Sequence, residues 1–227
     1  ILQNSSGVFS VSQTLSVSTH PIQIAGGDWD SDNDTDLAVL LRDNALVQIW
    51  LNGGTGTFSK QTTTYTVGNL PMGMISGDWN CDGKQDLAVS NSGDNTLSLI
   101  YGKGTGEFDT PVTISSGRGP GPLAAADFDN DSKMDFVVGH HFLVSTNGVS
   151  LLTGDFSLTL SDTSSSTGYG SITSFAATTV KDGSAPAAIV ISDVDNDSKL
   201  DILITLPVSK KLAVLSGKLY SGNLSCP

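Results

Sequence analysis

The chain has 227 residues and 23.5 kDa, long enough to bury a substantial core, with 38% hydrophobic and 15% charged residues. Its 11 basic and 23 acidic residues leave a formal charge of -12, which argues against nucleic acid and anionic membranes as partners. No apolar run reaches the ~18 residues of a membrane span, and no charged start followed by an apolar stretch marks a leader peptide.

In chain order, the opening "ILQNSSGVFSVSQTLSV" aligns with "WLNGGTGTFSKQTTTYTV" from Trp50, so it reads as the tail of a unit ending in its fourth strand. An apolar run, "PIQIAGG", then leads into "DWDSDNDTD", where Asp28, Asp30, Asp32, Asp34 and Asp36 alternate. The runs "DLAVLL" and "LVQIWLNG" follow, and a glycine-rich turn opens onto Phe58 and a polar stretch ending at Val67. The same order returns as "MGMISGDWNCDGKQDLAVSN" with "LSLIYGKG" and "GTGEFDTPVTISS". It returns again as "PLAAADFDNDSKMDFVVGH" with "VSLLTGD", and finally as "AAIVISDVDNDSKLDILITL" with "LAVLSGK".

Runs of four to eight residues rich in Val, Ile, Leu and Thr, punctuated by Gly, Asn and Pro, predict strands, and no helical period is sustained. The first three strands of each unit are apolar throughout, as for strands covered on both faces, whereas the fourth alternates and belongs at an outer edge. A four-stranded antiparallel unit of roughly 50 residues, repeated radially, is a β-propeller blade. The prediction is an all-β, single array over residues 1–227, with units about 9–57, 58–107, 108–155 and 156–222. The Ser/Thr-rich stretch between Asp155 and Pro186 is about 15 residues longer than its counterparts and reads as a surface-loop insertion.

The last unit shows three strands and no clear fourth, an open edge that invites another strand. Residues 9–17 are expected to pair with Leu212 to Ser216. Within one chain that closes a four-bladed ring; between chains, the favoured form, it makes a filament. The third possibility is that the chain is a portion of a larger propeller.

Aligned, the acidic clusters read D-x-[DN]-x-D-x-x-x-D. Oxygen side chains stand at positions 1, 3, 5 and 9, and the carbonyl at position 7 can add another. Oxygen-only, carboxylate-rich coordination selects calcium over zinc or copper. The pattern, followed each time by a "DLAV"-like strand, resembles the FG-GAP/VCBS repeat family, known from the propellers of integrin α-subunits and of secreted lectins and adhesion proteins. The resemblance implies about four Ca2+ ions, one per repeat. It assigns the first to Asp28, Asp30, Asp32 and Asp36 with the carbonyl of Asp34, and the second to Asp78, Asn80, Asp82 and Asp86 with that of Lys84. The third falls to Asp127, Asp129, Asp131 and Asp135 with Lys133, and the fourth to Asp193, Asp195, Asp197 and Asp201 with Lys199. Asn80 removes one charge, so the second site is expected to bind most weakly. At position 6 only Gly83 is the usual glycine; Asn33 tolerates positive φ better than Ser132 or Ser198.

Other chemistry is sparse. His20, His140 and His141 make no common site, and no nucleophile motif or P-loop is present, so no enzyme is expected. Cys81 and Cys226 have no metal spacing; each reads first as a free thiol, with a bridge between them or between chains as the alternative. Trp29, Trp79, Phe128 and Val194 share the position after the first ligand, which points to packing between blades. Sequons occur at Asn4, Asn33, Asn130, Asn196 and Asn223; those inside the acidic loops (Asn33, Asn130 and Asn196) are expected to be inaccessible, leaving Asn4 and Asn223 as glycan sites. The functional expectation is an extracellular or cell-surface, calcium-binding structural or adhesive module. Its partners are proteins or further copies of itself joined at the open blade edge, and the alternative is a carbohydrate-binding propeller.

Overall fold

The computed structural model describes residues 1–127, 134–140, 144–146, 149–151, 154–162, 173–183, 186–207 and 209–216. Three four-stranded antiparallel sheets and one three-stranded sheet follow one another along the chain. The first blade is β3 (Pro21–Gly27), β4 (Asp36–Leu41), β5 (Leu46–Asn52) and β6 (Phe58–Thr66), paired in that order, and a hairpin of β1 (Leu2–Ser5) and β2 (Val8–Val11) precedes it. The second is β7 (Pro71–Gly77), β8 (Asp86–Asn91), β9 (Thr96–Ile100) and β10 (Val112–Ser115). The third is β11 (Pro120–Ala126), β12 (Asp135–His140), β15 (Gly154–Asp162) and β16 (Thr173–Gly183). A small hairpin, β13 (Val144–Thr146) with β14 (Val149–Leu151), sits in the connection between β12 and β15. The last blade is β17 (Ala188–Ser192), β18 (Asp201–Leu206) and β19 (Lys211–Leu215).

The first strands β3, β7, β11 and β17 contact one another in sequence, so they line the inside while β6 and β10 lie at outer edges. This is a β-propeller arrangement. The apolar second strands bury both faces: β8 and β12 are buried at every residue. Alternation then sends one set of side chains forward to the next blade and the other back. Ala38 and Leu40 meet Leu87 and Val89 between the first and second blades. Ala88 meets Phe136 and Val138 between the second and third, and Val137 meets Ile202 and Ile204 between the third and fourth. Trp29 and Trp79 are buried in these interfaces, with Trp79 edge-on to Phe136 at 5.1 Å, so the indoles do pack between blades. Phe128 lies outside the described residues, and Val194 is exposed.

Two expectations change. The third strand of the third blade is β15, not the run "VSLLTGD", and the Ser/Thr-rich stretch supplies β15 and β16 instead of a loop alone. Short β-branched and polar residues suit an outer strand pair as well as a loop, which is why composition misled. Residues 9–17 do not pair with β19 of the same chain. Val8–Val11 pairs with β1, residues 12–17 form no strand, and Leu15 and Val17 pack on Val39, Leu41 and Trp50 at the back of the first blade. No ring is closed by that strand, because those side chains are taken up by the apolar face of the first blade instead.

Candidate metal loops

Each acidic loop joins the first strand of a blade to the second. Gly27 and Gly77 end the incoming strands where a Cβ would strike the indoles of Trp29 and Trp79. The first, second and fourth loops then turn through two left-handed residues each: Ser31 and Asn33, Cys81 and Gly83, Asn196 and Ser198. The expected turn at position 6 is therefore joined by a second at position 4, and Ser198 adopts it despite its side chain. The repeated reversal points successive N–H groups inward.

Those N–H groups are held by the acids themselves. Asp28 accepts from the N–H of Asp32 and Asn33 at 3.2 and 3.0 Å, and Asp78 from Asp82 and Gly83 at 3.1 and 2.8 Å. Asp193 accepts from Asp197 and Ser198 at 3.2 and 3.0 Å. The position-5 acids Asp32, Asp82 and Asp197 accept from the N–H of Asp34, Lys84 and Lys199. Lys84 and Lys199 also return their ammonium groups to Asp82 and Asp197, at 3.4 and 3.0 Å, an internal counter-charge that the first loop, with Asp34, lacks.

The position-9 acids have a further task. Buried Asp36 accepts the Trp29 N–H at 2.9 Å and the Asn52 N–H at 2.8 Å, while Asp86 accepts those of Trp79 and Gly102 at 2.9 and 2.7 Å. Asp201 accepts from Val194 at 2.9 Å. Asp36 and Asp86 thereby tie their loops to the end of the third strand, a role missed from the sequence although the acid's place at the mouth of "DLAV" was visible. Burial pushes Asp36 and Asp86 upward, Asp86 to about 7, only partly offset by their N–H donors. Burial, then the charges of Asp36 and Asp32, also raise Asp30.

In the first loop Asp28, Asp30 and Asp36 bring carboxylate oxygens within 4.8 Å of one another, and in the fourth Asp193, Asp195 and Asp197 do so. Asp32 stands outside the first trio, and the Asp34 side chain lies against Gly54. Among the described residues the second loop gathers no such trio: Asn80 takes its middle place and accepts the Asp82 N–H at 3.1 Å. Of the third loop, Asp127 and Asp135 are buried, while Asp129, Asp131 and Lys133 lie outside the described residues. The fit to a hard cation is strongest in the first loop, where the buried Asp30 Oδ1 has no hydrogen-bond partner among two other carboxylates. Calcium bound there would supply the missing positive charge.

Neighbouring blades close over the loops. The turn of the second blade donates the Gly106 N–H to the Trp29 carbonyl at 2.7 Å, and Ser31 donates to the Gly104 carbonyl. Phe108 inserts beside Trp29 and Tyr65, whose hydroxyl accepts the Phe108 N–H at 2.9 Å. The FG-GAP-like repeat model matches residues 28–89 and again 78–138. Residues 28–138 carry FG-GAP-like repeats.

Among solved structures, lead-soaked BBS1N from its complex with ARL6DN is similar to this chain over 97% of its length, with TM-score 0.59 and 13% identity. The mercury-soaked form covers 88% at TM-score 0.51 and 11% identity. A Lactobacillus plantarum protein covers 93% of the chain and 59% of its own length, at TM-score 0.49 and 13% identity. The chain spans 58% of the lead-soaked BBS1N chain. No curated protein matches the sequence.

The remaining candidates stay apart. His20 is exposed near Asp43 in the first blade, while buried His140 sits 3.2 Å from the Arg118 carbonyl in the third; His141 lies outside the described residues. Cys81 is disulfide-bonded rather than free, and Cys226 lies outside the described residues. Asn4, Asn33 and Asn196 are all exposed, including the two expected to be hidden in loops, while Asn130 and Asn223 lie outside the described residues. No helix among the described residues is long and apolar enough to cross a membrane.

Proposed function

We propose that this chain is a calcium-braced, extracellular β-propeller module that holds protein partners in an adhesive or structural role. The observation that carries the reading is the Asp28, Asp30 and Asp36 trio with its unpartnered Asp30 oxygen, repeated in kind by Asp193, Asp195 and Asp197. Carboxylates placed so closely repel until a cation joins them, and millimolar calcium outside cells would fill such sites. The disulfide at Cys81 suits the same oxidising surroundings. BBS1N was crystallised with a protein partner, ARL6DN, and a propeller of this kind offers similar broad faces. Among the described residues β19 carries no strand on its outer side, and this edge, with exposed Leu212 and Val214, is where a partner protein or a second copy would add one.

A second reading, glycan binding, is favoured by a cavity of about 320 Å³ beside the second loop, lined by Asn80, Tyr101, Lys103 and Asp109. An aromatic ring among hydrogen-bonding side chains suits a sugar. Calorimetric titration of the chelated protein tests the main reading: uptake of about four calcium ions supports it, and no uptake sinks it. A glycan array in calcium separates the second reading from the first.

A further inference from the structure

We propose that the turn from Gly102 to Phe108 in the second blade is a clasp that closes on the first acidic loop when calcium fills it, so that an ion held in one blade sets the wall of the cavity in the next. It rests on the reading that Asp28, Asp30 and Asp36 hold calcium. The Gly106 N–H is donated to the Trp29 carbonyl at 2.7 Å, and the Ser31 hydroxyl to the Gly104 carbonyl at 3.3 Å. Turn and loop also meet where a side chain is missing. A Cβ at Gly106, whose φ is +78°, would stand 3.6 Å from the Asp30 Cβ and 2.8 Å from the Leu51 Cδ1. Only glycine lets the turn settle against this loop.

The carboxylate trio and the clasp share the backbone of Trp29. This residue gives its N–H to Asp36 at 2.9 Å and takes the Gly106 N–H on its carbonyl, while its neighbours in sequence are Asp28 and Asp30. Without a cation the carboxylates repel, and spreading Asp30 and Asp36 moves both the Trp29 carbonyl and the surface on which Gly106 packs. A bound cation fixes that seat. The turn carries the difference across as a unit, because it is closed by the Lys103 N–H on the Glu107 carbonyl at 2.9 Å, by the bridge between Gly102 and Phe108, and by the Asp109 N–H on the Tyr101 carbonyl at 2.8 Å. Phe108 anchors it beside Trp29 and Tyr65. On the far side, a Cβ at Gly104 would lie 3.4 Å from the Lys84 Cδ, and Lys103 and Asp109, paired at 3.4 Å, wall the cavity with Tyr101, Asn80, Asp82 and Lys84. These ammonium, carboxylate and amide groups suit the hydroxyls of a sugar. A ligand there meets groups placed by an ion that it does not touch.

Amide exchange and calcium titration by NMR on the full chain test the coupling, with the Asn33 and Ser198 amides reporting the first and fourth loops. Saturating calcium should slow exchange at Gly106 and Lys103 by about tenfold or more. It should leave Gly93 unchanged, since that N–H is held by the Asn69 carbonyl in the turn between β8 and β9, at the opposite end of the blade. Asp30→Asn should remove most of the gain. Coupling is reciprocal, so Gly106→Ala, which drives a Cβ against Leu51, should raise the calcium midpoint at Asn33 by about threefold or more and leave that at Ser198 unmoved. An unmoved midpoint at Asn33 overturns the proposal. So does equal slowing at Gly93 and Gly106, which would mean general stiffening of the molecule. A calcium response at Asn33 with no slowing at Gly106 rejects the clasp alone, whereas no response at Asn33 rejects the calcium reading together with it.

Discussion

The carboxylate of Asp36 and the backbone N–H of Trp29 lie 2.9 Å apart across the first acidic loop, and the same carboxylate takes the Asn52 N–H at 2.8 Å. One side chain thereby binds the start of the loop to the end of the third strand, away from solvent. In Asp36→Ala two backbone donors lose their acceptor, and the loop loses a candidate ligand. Unpaired buried donors cost about 1–3 kcal/mol each, so chemical denaturation of the chelated variant should show a loss of about 3 kcal/mol. A loss below about 0.5 kcal/mol would mean that the carboxylate does not hold the loop closed.

Asp86 contributes to the pH response of the chelated protein, alongside the likewise raised Asp36 and Asp30. Its folded pKa of about 7 lies above the ordinary 3.8, because burial disfavours the charged form. A raised folded pKa contributes stability that is complete below the ordinary value and is lost as pH rises through about 7. Unfolding free energy in excess chelator should accordingly fall between pH 4 and pH 7, with Asp86→Asn flattening this part of the profile. Calcium favours the carboxylate, so its binding near pH 6 should release protons, measurable as a buffer-dependent heat.

Calcium should raise the melting temperature, since chelation leaves the clustered carboxylates facing one another. A site filled at about 100 times its dissociation constant adds about 2.7 kcal/mol of apparent stability. Identical melting curves in chelator and in millimolar calcium would remove the metal reading.

The second loop should be the weakest binder and the easiest to improve. Asn80→Asp restores the carboxylate that stands at this position in the first and fourth loops, and calorimetry should record tighter calcium binding by this variant. Unaltered affinity would show that charge count does not rank these loops.

Phe108 carries much of the contact between the first two blades. Phe108→Ala empties the space between Trp29 and Tyr65 and should destabilise the protein by about 3–5 kcal/mol. Tyr65→Phe removes only the acceptor of the Phe108 N–H and should lose about 1–3 kcal/mol. Equal effects in thermal unfolding would contradict this division between packing and hydrogen bonding.

The sequence by itself determined the repeat, the strand-loop-strand module around each acidic cluster, and the blade as the unit of the fold. Those features are local: alternating aspartates, glycines and short apolar runs act through neighbours a few residues apart, and four copies reinforce one reading. The burial of Trp29 and Trp79 was legible for the same reason, since each recurs at a fixed place beside a buried strand. Tertiary structure alone decided which strands complete the third blade, because the Thr-rich residues of β15 and β16 satisfy a loop and an outer strand equally well until neighbouring strands are present. It also decided where the N-terminal segment goes: Leu15 and Val17 carry no address in sequence, and they pack on the apolar back of the first blade. The double duty of Asp36 and Asp86 appears only when the third strand brings Asn52 and Gly102 to the loop, a contact 16 residues away that no local pattern encodes.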